Sequence, residues 1–202
     1  PVSDQALPEN QLRFAQCIVA TGSRPVVPKA LQTSGSRVWD STAALELREL
    51  PQSLLVVGGG YIGLELGTFY ATFGTRVSVV EMTEGLLPGV DRDLVRPLQK
   101  RLEGFFEAIH LRTQVVALVE KDNSVEVALQ TGADTPIQTQ QFACVLVAVG
   151  RRPHSEGLGL ERTQVRLTSQ GFVEVDAQRR TAEPTIYAIG DVVQGAMLAH
   201  KA

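Results

Sequence analysis

The residues best suited to chemistry are three glycines and one acid. Gly58, Gly60 and Gly63 form a GxGxxG run, Gly58-Gly59-Gly60-Tyr61-Ile62-Gly63, and Glu81 follows a little over twenty residues later. A glycine at 58 allows a tight turn. One at 60 leaves room for a pyrophosphate to approach the backbone, and one at 63 lets a following helix pack closely. The amides and positive dipole end of that helix attract phosphate without a lysine. Glu81 is placed to accept hydrogen bonds from an adenosine ribose. No arginine follows at Met82, Thr83 or Glu84 to neutralise a 2'-phosphate, so the pattern favours NAD over NADP. A GxGxxG run alone is an ordinary turn pattern, and the elements around it give it meaning.

Those elements have the required order. Leu54 to Val57 reads as a buried strand, followed by a helix presenting Ile62, Leu66, Phe69 and Phe73, and Arg76 to Val80 supplies a second strand ending at Glu81. This is a parallel strand-helix-strand unit. Asp91 or Asp93 caps a further helix carrying Leu94, Leu98 and Leu102, with Pro97 expected to kink it unless it falls near the first turn. The segments Val115 to Glu120, Val125 to Leu129 and Phe142 to Val149 read as strands containing an antiparallel meander. Before the unit, Leu12 to Ala20 reads as a buried strand, and Ser41 or Thr42 caps a short helix over Ala43 to Leu47. After it come Gly171 to Val173, a strand at Thr185 to Ile189 and the start of a helix at Met197 to Lys201. The expected fold is α/β, a Rossmann-like domain with a parallel sheet, helices and an antiparallel meander.

Composition narrows the alternatives. The 202 residues are 44% hydrophobic and 20% charged, with a net charge of -3 and both signs interspersed. This gives no basic field for nucleic acid and no polybasic membrane anchor. Apolar runs are strand-sized, which argues against a membrane span, and Pro1 to Gln5 lacks the start of a secretory signal. Cys17 and Cys144 each lie in an apolar run, as expected of buried inert thiols in a reducing, cytoplasmic setting. His110, His154 and His200 have no metal-ligand spacing.

Four motifs together resemble the pyridine nucleotide-disulfide oxidoreductase family, which binds FAD and NAD(P) in two similar domains. Ala20-Thr21-Gly22-Ser23-Arg24-Pro25 resembles the family's crossover out of the FAD domain, and Gly58 to Gly67 its NAD fingerprint. Ala148-Val149-Gly150-Arg151-Arg152-Pro153 resembles the return crossover, and Thr185 to Asp191 the second FAD motif. The closing run Gly195-Ala196-Met197-Leu198-Ala199-His200-Lys201-Ala202 is most similar to the dihydrolipoamide dehydrogenase branch.

The resemblance implies residues 1–38 and 153–202 as partial FAD-domain segments around an NAD domain at 39–152. It implies that Glu65 lies near the nicotinamide and Tyr61 where nicotinamide and flavin meet, that Ile62 belongs to the same NAD site, and that Val115 and Gly150 line its cleft. Thr21, Gly22, Asp191, Met197, Leu198, Ala199 and His200 become FAD-site residues, with Asp191 bonded to the ribityl chain. The implied reaction is oxidation of protein-bound dihydrolipoamide and reduction of NAD+. Its partner would be a lipoyl domain of a 2-oxo-acid dehydrogenase or a glycine cleavage carrier, served by a homodimer. The family's first FAD fingerprint, redox CxxxxC and catalytic His-Glu pair are not among these residues. The chain is therefore expected to be an inactive central piece with no catalytic residue of its own. Rival readings are another FAD/NAD(P)H reductase, acting on peroxide, mercuric ion or quinone, and a stand-alone nucleotide-binding module.

Overall fold

A computed structural model describes residues 11–132 and 134–201. Pro1 to Gln5, read above for a signal, and Ala202 of the closing motif lie outside the described residues. The chain forms two compact units, one taking the chain up to Arg24 and from Arg151 onward, the other Pro25–Gly150.

The first unit opens with strand Cys17–Val19 (β1), and strand Ser23–Pro25 (β2) begins in it and ends at the first residue of the second. The second contains Val38–Trp39 (β3), Ser41–Leu45 (α1), Ser53–Val57 (β4), Tyr61–Thr72 (α2), Arg76–Val80 (β5), Arg92–Glu103 (α3) and Ala108–His110 (β6). It continues through Thr113–Glu120 (β7), Val125–Thr131 (β8), Gln138–Phe142 (β9) and Cys144–Val147 (β10). Returning to the first unit, Arg151–Pro153 (β11) pairs with β2, and Ile186–Ala188 (β12) runs parallel to β1.

In the second unit five parallel strands lie in the order β3-β10-β4-β5-β6. Strands β4 and β10 read as continuous apolar runs because both sheet faces are covered. Alternate residues serve opposite faces. Leu54, Val56, Val77, Val79 and Leu146 pack with Leu64 and Tyr70 of α2 and Val95 and Leu102 of α3. Leu55, Val57, Val80, Val145 and Val147 pack beneath the antiparallel sheet β7-β8-β9, which contributes Val115, Val125, Val127, Leu129 and Phe142. The expected α/β architecture with its meander is present.

Several local expectations are corrected. The buried face of α2 is Gly63, Leu64, Gly67 and Tyr70, whereas Phe69 and Phe73 are exposed. Glycines make that face because a flat helix surface approaches the sheet most closely. In α3 the inward residues are Val95 and Leu102, Leu94 is exposed, and the helix runs on through Pro97. Asp91 caps it, accepting from the Asp93 N–H. Asp40, rather than Ser41 or Thr42, caps α1, since its carboxylate reaches the Ala43 N–H at 2.8 Å.

The third meander strand is Gln138–Phe142, and Cys144–Val147 belongs to the parallel sheet. The run Gln138-Thr139-Gln140-Gln141 has no apolar alternation, because an edge strand is held by its backbone ladder to β8. The first strand shrinks to Cys17–Val19, with Leu12, Phe14 and Ile18 exposed and Cys17 only half-buried. One face of the strand packs, through Val19, against Leu160, Val173 and Val192, and Ile18 lies on the opposite, uncovered face. Thr185 to Ile189 contributes the strand Ile186–Ala188, Val173 makes isolated bridges only, and Met197 to Lys201 yields a 3-10 turn at Ala199–Lys201.

Candidate functional site

The chain leaves β4 into α2 and returns as β5 on one side, while β10 lies on the other. The connections therefore diverge at the carboxyl end of β4, and a crevice outside such a divergence is where open α/β sheets take ligands. The glycine run lies there.

The three motif glycines answer different demands. Gly58 has φ +110, its N–H donates to the Val80 carbonyl at 2.8 Å, and a Cβ on it would lie 2.5 Å from the Ala148 carbonyl oxygen. Both backbone strain and space exclude a side chain. At Gly63 a Cβ would overlap the Gly58 carbonyl oxygen and come within 2.9 Å of Val56 Cγ1, so α2 depends on its absence to sit on the sheet. Gly60 is unlike either. It is the N-cap of α2, with φ -78 and ψ 174, a conformation open to any residue, and a Cβ there meets nothing within 4 Å. The fold itself does not require glycine at 60. Open space at the start of a 12-residue helix fits a phosphate group approaching the backbone.

Glu81 ends β5 and is 6% exposed. One carboxylate oxygen accepts from the Gly59 N–H at 2.7 Å and the other from the Thr83 N–H at 2.8 Å. Burial of an anion is offset by these two charge-assisted bonds. The acid is thereby tied to the glycine loop. Each oxygen keeps a further lone pair for a hydroxyl.

On α2, Tyr61 is 39% exposed, Ile62 half-buried and Glu65 exposed, so Tyr61 and Glu65 stand on the solvent side of the helix start. Gly150 has φ +144 with open space at its Cβ position, and its carbonyl accepts from the Val26 N–H at 3.0 Å. Val115 is 8% exposed and packs in the core with Leu55, Val57 and Val80.

The residues tied by resemblance to FAD lie in the first unit. Thr21 Oγ1 donates to the His154 carbonyl at 2.6 Å, and the His154 N–H donates to the Gly22 carbonyl at 2.9 Å. Gly22 has φ +69 and an open Cβ position, while Arg24 contacts the His154 ring. Asp191 accepts from Ser23 Oγ at 2.6 Å, and Ser23 in turn accepts from Arg151. This Ser23-Arg151-Asp191 cluster was missed in the sequence, although all three residues sit inside the recognised motifs. Met197 and Leu198 are half-buried; Ala199 and His200 are exposed in the final turn.

Two buried groups stand apart from the site. Burial, then the hydrogen bond to Glu49, pushes the Cys144 thiol up to about 12, and burial raises the Tyr70 phenol as well. Such a thiol stays protonated and inert. Among the described residues no group of three His, Cys, Asp or Glu could hold a metal ion, and no helix is long and apolar enough to cross a membrane.

Comparison with known proteins agrees with this geometry. The dihydrolipoyl dehydrogenase of Geobacillus stearothermophilus is 44% identical over 191 residues, 94% of this chain and 40% of the relative. That of Vibrio parahaemolyticus is 42% identical over 190 residues, again 94% and 40%. Among solved structures, the HOCl-induced flavoprotein disulfide reductase RclA from Escherichia coli superposes with a TM-score of 0.80 at 30% identity, covering 92% of this chain and 41% of that one. LpdA from Mycobacterium tuberculosis gives 0.80 at 29% identity, covering 92% and 39%. The chain thus spans about 40% of the length of the curated relatives it matches. The family profile described as pyridine nucleotide-disulphide oxidoreductase matches residues 2–202, and to that family the chain belongs.

Proposed function

We propose that residues 39–152 form the NAD-binding domain, and 1–38 and 153–202 parts of the FAD-binding domain, of a cytoplasmic, homodimeric dihydrolipoyl dehydrogenase. The reaction is oxidation of dihydrolipoamide on a lipoyl domain or glycine cleavage carrier and reduction of NAD+. The observation that carries the nucleotide reading is Gly60, a glycine its own fold does not need, at the switch point and one residue from the amide held by Glu81. The 42–44% identity to dihydrolipoyl dehydrogenases supports the choice of substrate.

In this scheme the start of α2 holds the pyrophosphate, with Gly58 and Gly63 fixing the loop against the sheet. Glu81 accepts from the ribose hydroxyls and repels a 2'-phosphate. Glu65 lies near the nicotinamide, Tyr61 where nicotinamide and flavin meet, Ile62 belongs to the same site, and Val115 and Gly150 line the cleft. Thr21, Gly22, Asp191 and the Met197–His200 segment contribute to the FAD surface. Flavin and nicotinamide, when bound, supply hydride transfer; the chain's part is orientation.

Calorimetric titration of NAD+ and NADP+ tests the nucleotide assignment. NAD+ should bind at least about tenfold more tightly, a difference of roughly 1.4 kcal/mol, and Glu81→Arg should shift preference toward NADP+. Absence of NAD+ binding, or NADP+ preference in the unaltered chain, overturns it. Likeness to RclA favours a second reading, another flavin-linked disulfide reductase. NAD+ reduction by dihydrolipoamide, assayed on the whole natural polypeptide containing this chain, decides between them.

A further inference from the structure

Strands β1 and β12 run parallel, with Val19 opposite Ala188, so the loops that follow them emerge at the same end of the pair. The connection after β1 leads into β2, which begins at Ser23, and the turn after β12 carries Asp191. The Ile189 N–H donates to the Val19 carbonyl at 3.1 Å, and Gly190, with φ +74, turns the chain directly before Asp191. Backbone geometry thus delivers the acid to the serine, and the third member arrives from β11.

Arg151 grips Ser23 at two points. Its Nε donates to Ser23 Oγ at 2.6 Å and its Nη2 to the Ser23 carbonyl at 2.8 Å. A guanidinium is a planar fork, so two bonds to one residue fix both the arginine plane and the serine side-chain rotamer. A hydroxyl has one proton and two lone pairs. With a lone pair occupied by Arg151, the proton points to Asp191 Oδ2 at 2.6 Å, the short range of a charge-assisted O–H···O⁻ bond. Ser23 therefore fixes one carboxylate oxygen. Lone-pair capacity remains on the carboxylate for a ligand hydroxyl.

We propose that Ser23 and Arg151 are positioning residues that set the rotamer of Asp191 for hydrogen bonding to the polyhydroxyl chain of the flavin. This rests on the flavin reading under Proposed function. A loose aspartate would have to be ordered when the cofactor binds; one already held by Ser23 does not, so the gain is in preorganisation. Arg151 acts at one remove, by directing the serine proton.

The test is a double-mutant cycle on FAD affinity, measured by flavin fluorescence on reconstitution of the deflavinated whole polypeptide, with thermal melting as a check on folding. Asp191→Asn should weaken FAD about tenfold, the order expected for a hydrogen bond to a charged group. Ser23→Ala should weaken it by several-fold alone and add almost nothing in the Asp191→Asn background, because its effect passes through the carboxylate. Ser23→Thr, which keeps the hydroxyl, should restore near-normal affinity, whereas Arg151→Lys, which cannot reach both serine acceptors in the same fork, should not. Additive losses from Ser23→Ala and Asp191→Asn, or failure of Ser23→Thr to rescue a folded protein, overturn the positioning role while leaving the flavin reading intact. An unchanged FAD affinity in Asp191→Asn, or no FAD binding by the unaltered polypeptide, overturns the flavin reading itself.

Discussion

At the scale of single residues, the contrast between Gly58 and Gly60 gives a sharp prediction. Gly60→Val places its side chain in open space with an ordinary φ, so the protein should fold with a melting temperature close to that of the parent. Nucleotide affinity should fall by at least about tenfold, because the pyrophosphate's approach is filled. Circular dichroism and calorimetry together check this, and normal NAD+ binding in a folded Gly60→Val chain would reduce the loop to a turn. Cys144 predicts a pH effect. Its thiol is raised from 9.0 to about 12, so the unfolded chain loses this proton first as pH rises. Stabilisation by the buried neutral thiol is complete below pH 9 and is lost as pH rises toward 12. The stability advantage of the parent over Cys144→Ala should therefore shrink by about 1.4 kcal/mol per pH unit across that window; denaturant melts at pH 8 and pH 11 measure it. The glycine pattern and its acid were legible in the sequence. The bonds from Gly59 and Thr83 to Glu81 were not, since backbone donors leave no mark in residue type.

At the scale of elements, α2 is the informative case. The stripe read from the sequence ends in Phe69 and Phe73, which proved to lie on the outer face with their rings tilted at 50° and their centroids 4.9 Å apart. The inner face combines Leu64 and Tyr70 with two residues that contribute little hydrophobicity, Gly63 and Gly67, whose missing side chains let helix and sheet approach closely and gain contact. A Cβ at Gly67 would lie 3.3 Å from Phe106 Cζ and 3.4 Å from Val77 Cγ1. Gly67→Leu should therefore lift the helix from the sheet and destabilise the chain by about 1–3 kcal/mol, seen as an earlier urea midpoint. A neutral or stabilising outcome would show that the helix can slide. The polar edge strand β9 and the Asp40 cap escaped sequence reasoning for a related reason. Ladder pairing and the choice among Asp40, Ser41 and Thr42 are settled by where the backbone runs.

At the scale of the whole molecule, the two units differ in how well their strands are covered. In the second, Leu54, Leu55, Val56, Val145 and Leu146 are fully buried between helices and meander. In the first, the β1-β12 pair is two-stranded and leaves Ile18 at 62% and Ile189 at 39% exposure. A pair with an uncovered face opens more readily than a sandwiched sheet. Hydrogen exchange on this chain should therefore show amides of Cys17–Val19 and Ile186–Ala188 exchanging orders of magnitude faster than those of Ser53–Val57 and Cys144–Val147. Equal protection in the two units would contradict this picture.

The sequence by itself determined the parallel strand-helix-strand unit, the glycine loop, its acid and the family resemblance, because these depend on local spacing and on residues with one conformational talent. Only the tertiary structure decided which stripe of α2 faces inward, that Val115 is core, that Cys144–Val147 lies beside β4 and not in the meander, and that Ser23, Arg151 and Asp191 converge. Each of those is a contact between segments far apart in the chain, and residue periodicity carries the direction of a side chain without the identity of its neighbour.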